Sequence, residues 1–423
     1  MSRTYGSKGM GTGVAAGLAC GLVLLAVVPN AVAAERWFKG NTHTHTWWSD
    51  GDCPPEVAVK WYKDHGYQFL VISDHNVMLQ GEKWVAPKDR WAKGAEIYEQ
   101  QFGDTLVKRQ KGDQVEYRLK TLDELRAMFE QPGSFLLVPG EEISDSAAKK
   151  PVHLNGINLA ELIPPQRGET VAECTQRNID AVLAQRKATG RPMFPTVNHP
   201  YFGWAMTAED IAPLRGAQFF EVHNGHPSVH NYGDATRVPV DRMWDVVLSR
   251  RLGQLNLPVM YGVASDDAHN YAKIPGGGAN PGRGWIMVRA EKLTPESLVE
   301  AMEKGDFYPT TGVILKDIRF ENNTLTVEID AKPGVSYKTQ FIGTPRNYDR
   351  TVTTRPAADH VVYEYSDTIG QVLAEKEGTK VSYTLNGSEL YVRAKIISDA
   401  KHPNPFAEGD VEVAWTQPFQ PVK

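Results

Sequence analysis

Asn41-Thr42-His43-Thr44-His45-Thr46-Trp47-Trp48-Ser49-Asp50-Gly51 is the stretch that most directly indicates the fold and the chemistry of this chain. It begins inside a strand-like apolar run at residues 37–44 and continues beyond the end of that run. Side chains two positions apart on a strand point to the same side, so His43 and His45 can reach one metal ion together. Asp50 comes after a bend and can reach a neighbouring ion. A single His-x-His is often only a pair of surface histidines, so the rest of the chain has to support a metal site.

Similar polar clusters stand at the ends of most later strand-like runs. They are Asp74-His75, Glu141-Glu142, His153, His199, Glu221 with His223, and Asp266-Asp267-Ala268-His269. Any one of them alone is as readily a core histidine or a capping carboxylate. Recurrence at six or seven successive strand ends indicates a shared metal site instead. Histidine and carboxylate together suit Zn, Mn or Fe, and the lack of cysteine near these motifs argues against a structural zinc site.

The order of apolar runs and helical stretches predicts the architecture. From Arg36 to about Ala290, short apolar runs alternate with segments of helical spacing such as Pro55–Asp64, which favours a parallel α/β sheet or barrel. About eight runs matches the strand count of a β/α barrel, and the active sites of such barrels lie where the strands end. Residues 78–132 interrupt the alternation, and we expect a helical insertion that caps the site. After residue 312, apolar/polar alternation predicts a C-terminal β-sandwich over 313–423.

The first 34 residues have the layout of a secretory signal. Arg3 and Lys8 form a short basic region, an apolar stretch covers 14–28, and small residues end at Ala34. We therefore expect cleavage and a periplasmic or secreted mature protein whose catalytic unit covers residues 35–312. An uncleaved membrane anchor is the alternative, but the apolar stretch is short for a span. No stable membrane insertion is expected after cleavage.

Composition excludes some classes of partner. The 423-residue chain is 41% hydrophobic and 23% charged, and loss of residues 1–34 takes its net charge from −5 to −7. Such a mildly acidic protein carries no basic stripe, so nucleic acid is not an expected partner. Cys53 and Cys174 would remain and could pair in an oxidising compartment. The sequence does not indicate an oligomeric state.

The ordered motifs resemble those of a known superfamily. His-x-His, Ser-Asp-Gly, Asp-His, Gly-x-Glu, His, His-Pro and Asp-x-His follow one another across residues 41–269, as in the PHP (polymerase and histidinol phosphatase) superfamily. The resemblance implies an α/β fold with a distorted seven-stranded β/α barrel and two or three divalent metal ions (Zn, Mn or Fe). Within the superfamily the chain looks most like the exported branch that includes carbaryl hydrolase, through residues 69–76, Asn224-Gly225-His226-Pro227, Asp267-Ala268-His269 and residues 414–418.

The resemblance also implies ligands for each ion. The first ion would be held by His43, His45, Glu142 and Asp267, the second by Glu142, His153 and His199 with Glu142 bridging, and the third by Asp50, His75 and His269. Gly-x-Glu selects Glu142 over Glu141, and Asp-x-His selects Asp267 over Asp266. Adjacent residues on an extended strand face opposite ways, so only one of each pair should point at the metals.

These motifs predict a metal-dependent hydrolase that cleaves a small-molecule ester. A phosphoester is favoured, with attack by a metal-bridging hydroxide. Because few basic residues lie near the motifs, a diester is favoured over the more highly charged monoester. The candidate catalytic residues are Asp267, His199 and Arg283. Arg283 ends the Gly-rich segment 274–284 and would grip an anion, although a plain connecting loop fits that segment equally well.

Two other functions remain open at this stage. The same hydroxide could hydrolyse a carbamate or a carboxylic ester. A metal-binding module without turnover would need the same ligands, although a degenerate site would usually have lost some of them. His223 is expected either to line the pocket or to orient a ligand.

Overall fold

The computed structural model describes residues 9–11, 13, 35–358 and 360–422. The predicted signal segment therefore lies almost wholly outside the described residues. The strands, numbered in chain order, are β1 (Arg36–Asn41), β2 (Phe69–Ile72), β3 (Trp84–Val85), β4 (Lys108–Lys111), β5 (Gln114–Arg118), β6 (Leu136–Ala147), β7 (Lys150–Ile157), β8 (Phe194–Val197), β9 (Phe219–Asn224), β10 (Tyr261–Ser265), β11 (Trp285–Ala290), β12 (Phe307–Thr310), β13 (Leu315–Glu321), β14 (Thr324–Ile329), β15 (Tyr337–Pro345), β16 (Val352–Pro356), β17 (Val361–Tyr365), β18 (Gln371–Glu377), β19 (Lys380–Thr384), β20 (Glu389–Lys401) and β21 (Val411–Trp415).

Helices alternate with the strands of the first part of the chain. They are α1 (Pro55–Asp64), α2 (Ala92–Phe102), α3 (Leu122–Phe129), α4 (Val171–Thr189), α5 (Ala208–Ile211), α6 (Val240–Arg250) and α7 (Pro295–Glu303). Short 3₁₀ turns cover Asp89–Trp91 and Gly103–Thr105, and a π-helical turn covers Arg251–Leu255. Among the described residues, no helix is long and apolar enough to cross a membrane.

A large mixed sheet organises this α/β fold. Its thirteen strands are ordered β10-β9-β8-β7-β6-β2-β1-β11-β12-β21-β20-β15-β18. The pairs β1/β2, β2/β6, β8/β9 and β9/β10 are parallel, whereas β7 runs antiparallel to both β6 and β8. The predicted parallel sheet therefore contains two reversed strands, β7 and β11, since β11 runs antiparallel to β1. β2 (FLVI) is buried along its whole length, as expected of a strand covered on both faces.

The ends of β1 and β10 meet although these strands are distant in the sheet order. Thr44 and Ala268 form a parallel bridge, and the His45 backbone N–H donates to the Ala268 carbonyl oxygen at 2.9 Å. This contact gathers the carboxyl ends of the parallel strands around one point. A closed barrel of seven strands remains a prediction.

The insertion at 78–132 contains strands as well as helices. β3, β5 and β4 form a small sheet in that order, flanked by α2 and α3. The prediction of a helical insertion is therefore incomplete, because the segment around Gly112 folds as a β4–β5 hairpin. Trp47 is fully buried beside this insertion, with the rings of Tyr98 and Tyr117 6.0 Å away. Trp47 therefore packs in the core.

The C-terminal part is rich in strands, but the large sheet runs into it. β13, β14 and β19 form a separate three-stranded sheet, and β16 pairs with β17. β21 pairs with β12, and β20, β15 and β18 continue the large sheet from there. Residues Glu35–Lys423 group as one unit by their contacts. The division at residue 312 remains a prediction.

Cys53 and Cys174 are both free and buried. Burial raises the pKa of each thiol, and the carboxylates of Asp52 and Asp145 beside them add to this. Both side chains therefore behave as small buried hydrophobic groups, without the disulfide that the sequence left open.

Candidate metal centre

Six strands and the segments that follow them supply the nine predicted ligands. His43 and His45 follow β1, Asp50 lies in the turn after them, His75 follows β2, Glu142 lies on β6, His153 lies on β7, His199 follows β8, and Asp267 and His269 follow β10. The structure brings all nine side chains together. They come from positions up to 226 residues apart (His43 to His269), so the fold and not local sequence creates the site.

Glu142 lies at the centre of the cluster. It is fully buried, and the nearest ring nitrogens of four histidines approach its carboxylate. His75 Nδ1 is at 2.7 Å, His199 Nε2 at 3.1 Å, His153 Nδ1 at 3.2 Å and His43 Nε2 at 3.3 Å. One carboxylate thus touches histidines from four different elements, which is the position expected of a ligand shared between ions.

Asp267 forms a second point of convergence. Its Oδ1 lies 3.1 Å from His45 Nε2, 3.3 Å from His43 Nε2 and 3.5 Å from His269 Nδ1. Its Oδ2 lies 3.9 Å from His199 Nε2. Since His45 Nε2 also lies 3.6 Å from Glu142 Oε2, Asp267 and Glu142 share His43, His45 and His199 as neighbours.

Asp50 closes the more exposed side of the cluster. Its Oδ1 is 3.3 Å from His269 Nε2, 3.6 Å from His75 Nε2 and 3.9 Å from His45 Nδ1. The Asp50 side chain is 41% exposed, unlike the buried carboxylates of Glu142 and Asp267. This part of the cluster therefore faces the entrance.

Four overlapping groups of ligand atoms lie within 4.8 Å of one another. They are His45, Asp50, His75 and His269; His43, His45 and Glu142; His43, His199 and Asp267; and His75, Glu142 and His153. The ligands predicted for the third ion, Asp50, His75 and His269, all belong to the first of these groups. The ligands predicted for the second ion are divided between groups, because His153 groups with His75 and His199 groups with His43. The assignment of residues to individual ions therefore remains a prediction.

Buried atoms without hydrogen-bond partners test whether this donor set fits cations. His43 Nε2, His45 Nε2, Glu142 Oε2 and His153 Nδ1 are all in this state, because their short approaches to neighbouring groups do not have the geometry of hydrogen bonds. Leaving a buried polar atom unpaired costs roughly 1–3 kcal/mol, so four such atoms converging on one place are expensive without a ligand. Imidazole nitrogens and carboxylate oxygens are the donors that Zn, Mn and Fe accept. The residues present therefore fit divalent cations.

The electrostatics keep Glu142 ionised and His45 neutral, whereas neighbouring carboxylates outweigh burial and raise the pKa of His43, His75, His199 and His269, so a cation must displace protons from these four rings. Burial alone would raise the pKa of Glu142, but the imidazoles of His153, His75 and His43 outweigh it and hold that pKa well below its ordinary value. Burial, with His269 and His75 nearby, lowers the pKa of His45. An ionised carboxylate beside a neutral imidazole is the state in which both can bind a cation.

Glu221 supports the cluster from behind. Its Oε1 accepts a hydrogen bond from His43 Nδ1 at 2.8 Å, which leaves His43 Nε2 to face Glu142 and Asp267. Its Oε2 accepts from the His199 backbone N–H at 2.8 Å and from Asn224 Nδ2 at 2.9 Å. A carboxylate that fixes the second nitrogen of a ligand histidine sets its tautomer and orientation. The sequence indicates a strand end at Glu221 but not this supporting role.

His223 does not line the metal cavity. Val263 pairs with Glu221 and Ala264 with His223, so Val222 is an extra residue in β9. Such a bulge changes which way the following side chain points. The His223 ring lies against Phe406 and Trp415 of the C-terminal part. The position of His223 at a strand end therefore does not place its side chain in the metal cavity.

Arg283 is also outside the cavity, and its proposed grip on an anion is not supported. Its guanidinium donates to the carbonyl oxygens of Gly225 (3.0 Å), Gly278 (2.8 Å) and Gly276 (3.1 Å). These acceptors belong to the Gly-rich segment 274–284 and to the loop after β9. Arg283 therefore braces two loops, since a segment with little side-chain packing of its own needs such backbone anchors.

The two neighbouring carboxylates that the motifs rejected lie outside the cluster. Glu141 Oε1 accepts the Ile163 backbone N–H at 2.6 Å. Asp266 Oδ1 accepts the backbone N–H groups of Arg283 at 2.6 Å and Gly284 at 2.9 Å. Both carboxylates hold loops in place and do not face the metal cavity.

A cavity of about 300 Å³ opens onto the cluster. It is lined by Asp50, Asp52, His75, Glu142, His153, His199, Phe202, His226, Asp267, His269 and Asn270. The site residues predicted from the sequence do not include Asp52, Phe202, His226 or Asn270. Burial lowers the pKa of His226 to about 4, so that ring is neutral. The only signal for His226 was the Asn224-Gly225-His226-Pro227 motif.

Comparison with known proteins adds little. No family model and no curated protein matches the chain. One solved structure that matches is a two-domain protein from Bacteroides vulgatus containing a predicted PHP-like metal-dependent phosphoesterase, with 14% identity, coverage of 91% of this chain and 96% of that one, and a TM-score of 0.40. Another is an inferred metal-dependent phosphoesterase from Bifidobacterium adolescentis, with 13% identity, coverage of 56% and 89%, and a TM-score of 0.28. Both TM-scores are low, and the function proposed below therefore rests on the side chains of this chain.

Proposed function

We propose that this chain is a metal-dependent phosphoesterase of the PHP type. The observation that carries the proposal is the convergence of six histidines and three carboxylates, supplied by six strands and the segments that follow them, around one cavity. The ordered motif series across residues 41–269 supports the same assignment. A structural role alone would not account for buried ring nitrogens that lack partners.

The chain's own residues have separable tasks in this proposal. Glu142, Asp267 and the six histidines would hold two or three divalent ions, and Asp50 would complete the set at the exposed side. Bound divalent cations lower the pKa of water, which supplies hydroxide at neutral pH, and they neutralise charge that develops on the ester. Glu221 orients His43 and fixes the backbone at His199. Phe202 lines the cavity, and its ring lies beside those of His153 and His199.

The charge of the cavity favours a diester over a monoester. None of the residues lining the cavity is lysine or arginine, and Arg283 is engaged with carbonyl oxygens. A phosphomonoester carries close to two negative charges near neutral pH, so a pocket for it should add cations beyond the metals. A diester carries one charge and needs less compensation. The same lack of side-chain cations favours hydrolysis of a neutral carbamate or carboxylic ester as the second candidate.

A substrate panel tests the proposal. kcat/KM is measured with Mn²⁺ or Zn²⁺ for p-nitrophenyl phosphate, bis-p-nitrophenyl phosphate, an aryl acetate and an aryl N-methylcarbamate, with chelator-treated protein as the control. We expect the diester to be the best substrate and the chelator to abolish its cleavage. A monoester preference would reject the diester assignment. Cleavage of acetate or carbamate alone would reject the phosphoesterase and leave the metal site standing.

We also propose that the protein is exported. The support is the basic, apolar and small-residue order of residues 1–34. N-terminal sequencing of protein from the periplasm or medium should give a chain beginning at or near Ala34 or Glu35. An intact chain beginning at Met1 in the membrane fraction would reject this proposal.

A further inference from the structure

His226 is the one histidine of the metal cavity that belongs to none of the four ligand groups. It lies in the loop after β9, which is fixed by its backbone. The His226 N–H donates to Asn224 Oδ1 at 2.8 Å, and the Gly225 N–H donates to the Ser265 carbonyl oxygen at 2.9 Å. The position of the ring is thus set by β9 and β10, the same strands that place Glu221 and Asp267.

One hydrogen bond determines the tautomer of His226. The Ser228 backbone N–H donates to His226 Nδ1 at 3.1 Å. A backbone amide can only donate, so Nδ1 must be the acceptor, and in the neutral ring the proton is on Nε2. Among the described residues, Nε2 has no hydrogen-bond partner. The ring is held between Phe202 and His269, whose centroids are 6.1 Å and 5.2 Å away.

The same tautomer separates His226 from the metal ligands. A ligand histidine offers a lone pair to the cation, whereas the lone pair of His226 Nδ1 is taken by Ser228 and Nε2 carries a proton. His226 therefore presents an N–H donor to the cavity in which Glu142 and Asp267 converge. An N–H group in that place suits an anionic oxygen of a bound molecule.

We infer that His226 donates a hydrogen bond from Nε2 to a non-bridging oxygen of the bound ester. The inference rests on the proposed function and adds a catalytic residue to it. The oxygen gains negative charge as the hydroxide attacks, so this hydrogen bond becomes stronger in the transition state. Because Ser228 anchors the far side of the ring, the donor is already aimed and no reorganisation is needed during the reaction. The ring keeps its proton throughout, as neutral imidazole donors do elsewhere.

Three variants test the inference in the metal-loaded protein. His226→Ala should lower kcat for bis-p-nitrophenyl phosphate about 100-fold, the usual effect of losing one such donor, with little change in KM or in bound metal. His226→Gln keeps an N–H donor near the position of Nε2 and should retain activity within about tenfold of wild type. His230→Gln is the matched control, because His230 is an exposed histidine of the same loop that does not line the cavity. It should behave as wild type.

The pH profile distinguishes a hydrogen-bond donor from a proton donor. Since the ring keeps its proton, the loss in His226→Ala should be the same factor at neutral and at alkaline pH. A loss that disappears at alkaline pH would mean that His226 protonates the leaving group, which overturns the inference. Unchanged kcat in His226→Ala would overturn it as well.

Two readouts do not depend on turnover. The ¹⁵N shifts of His226 in the metal-loaded protein should report the Nε2–H tautomer, and an Nδ1–H tautomer would contradict the inference. Tungstate, a tetrahedral oxyanion, should bind wild type and His226→Gln more tightly than His226→Ala, by about tenfold for one charge-assisted hydrogen bond. If tungstate shows this difference but no ester is cleaved, the proposed hydrolysis fails and the donor role of His226 stands. A wild-type protein that neither turns over nor binds tungstate rejects both.

Discussion

Adjacent acidic residues at two strand ends have opposite roles. Glu142 faces the cluster and Glu141 faces Ile163, as expected from side-chain alternation within β6. The side chains of Asp266 and Asp267 also point in opposite directions, but for a different reason. β10 ends at Ser265, and Asp267 has a φ of 47°, so left-handed backbone and not strand alternation turns its carboxylate toward the metals. The motif spacing selected the residue that faces the cluster, but the strand geometry given for it was wrong.

Substitution of the Asp266–Asp267 pair should separate metal binding from loop support. Asp267→Asn removes a charge from between three histidines and should lower bound metal and activity together. Asp266→Asn keeps an acceptor for the Arg283 and Gly284 N–H groups and should keep most of both. Elemental analysis of the two purified variants measures this. Metal loss in Asp266→Asn with retention in Asp267→Asn would reverse the assignment.

Glu141 should make stability depend on pH. Burial raises its pKa from 4.5 to about 7, with the hydrogen bond from the Ile163 N–H opposing the shift, and its Oε2 has no partner. A raised folded-state pKa stabilises the protein at low pH, and this contribution is lost as pH rises from about 4.5 to about 7. Compared with Glu141→Gln, wild type should therefore lose up to about 3 kcal/mol over this interval and nothing further above it.

Urea unfolding of both metal-free proteins across this pH range measures the Glu141 effect. The metal ligands are the same in the two proteins, so their titration cancels in the difference. A difference in unfolding free energy that is independent of pH, or that favours wild type as pH rises, would show that Glu141 is ionised in the folded protein.

Helix α2 of the insertion supports the loops that carry Asp50 and His269. A Cβ on Gly94 would lie 2.0 Å from the Asp52 carbonyl oxygen, so only glycine lets α2 approach this closely. Asp52 in turn accepts the Tyr271 backbone N–H at 2.8 Å, just after His269. The insertion thus holds the exposed side of the metal cluster in place.

Gly94→Ala should disturb this support. Forcing a methyl group into the contact should cost roughly 1–3 kcal/mol of unfolding free energy and weaken binding of the most exposed ion. Gly103→Ala is the matched control, because nothing lies within 4 Å of a Cβ at Gly103 at the end of the same helix. Thermal unfolding and metal titration compare the two. Equal behaviour of the variants would mean that α2 does not position the Asp50 loop.

Some elements could be predicted from sequence and others could not, for physical reasons. The buried strands and α1 follow from apolar runs and from Pro55 at a helix start. The β4–β5 hairpin was missed because β4 consists of exposed charged and polar residues that are common in helices, and only Gly112-Asp113 indicated a turn. The bulge at Val222 arises from pairing with β10, so no local pattern contains it.

An ion-pair cluster joins strand β20 of the C-terminal part to helix α6 of the first part of the chain. Arg393 on β20 is fully buried, and its Nη2 lies 2.7 Å from Asp245 and from Asp241 on α6. Gln417 is bound to the Gly262 backbone of β10 in both directions, each at 2.9 Å. These contacts join residues more than a hundred positions apart, which is why sequence patterns divided the chain at residue 312 without indicating the connection.

Arg393→Met should destabilise the protein without changing its metal site. Asp245 would remain buried without its cationic partner, which costs about 3–5 kcal/mol for such a pair, whereas Asp241 would keep Lys395 at 2.6 Å. Lys395→Met is the control, because Lys395 is only half-buried and pairs with Asp241 alone, so it should cost within about 1 kcal/mol. Denaturant unfolding of both variants tests this. Equal stability of Arg393→Met and wild type would contradict the assigned role of the pair.

The number of metal ions per chain tests the central claim most directly. Elemental analysis after loading with Mn²⁺ or Zn²⁺ and gel filtration should give two or three ions for wild type. Glu142→Gln should give at most one, because Glu142 contacts histidines from four elements. Glu141→Gln, altered one position away, should match wild type. Wild-type protein without metal, or a Glu142→Gln variant that retains all of it, would contradict the metal centre described for this chain.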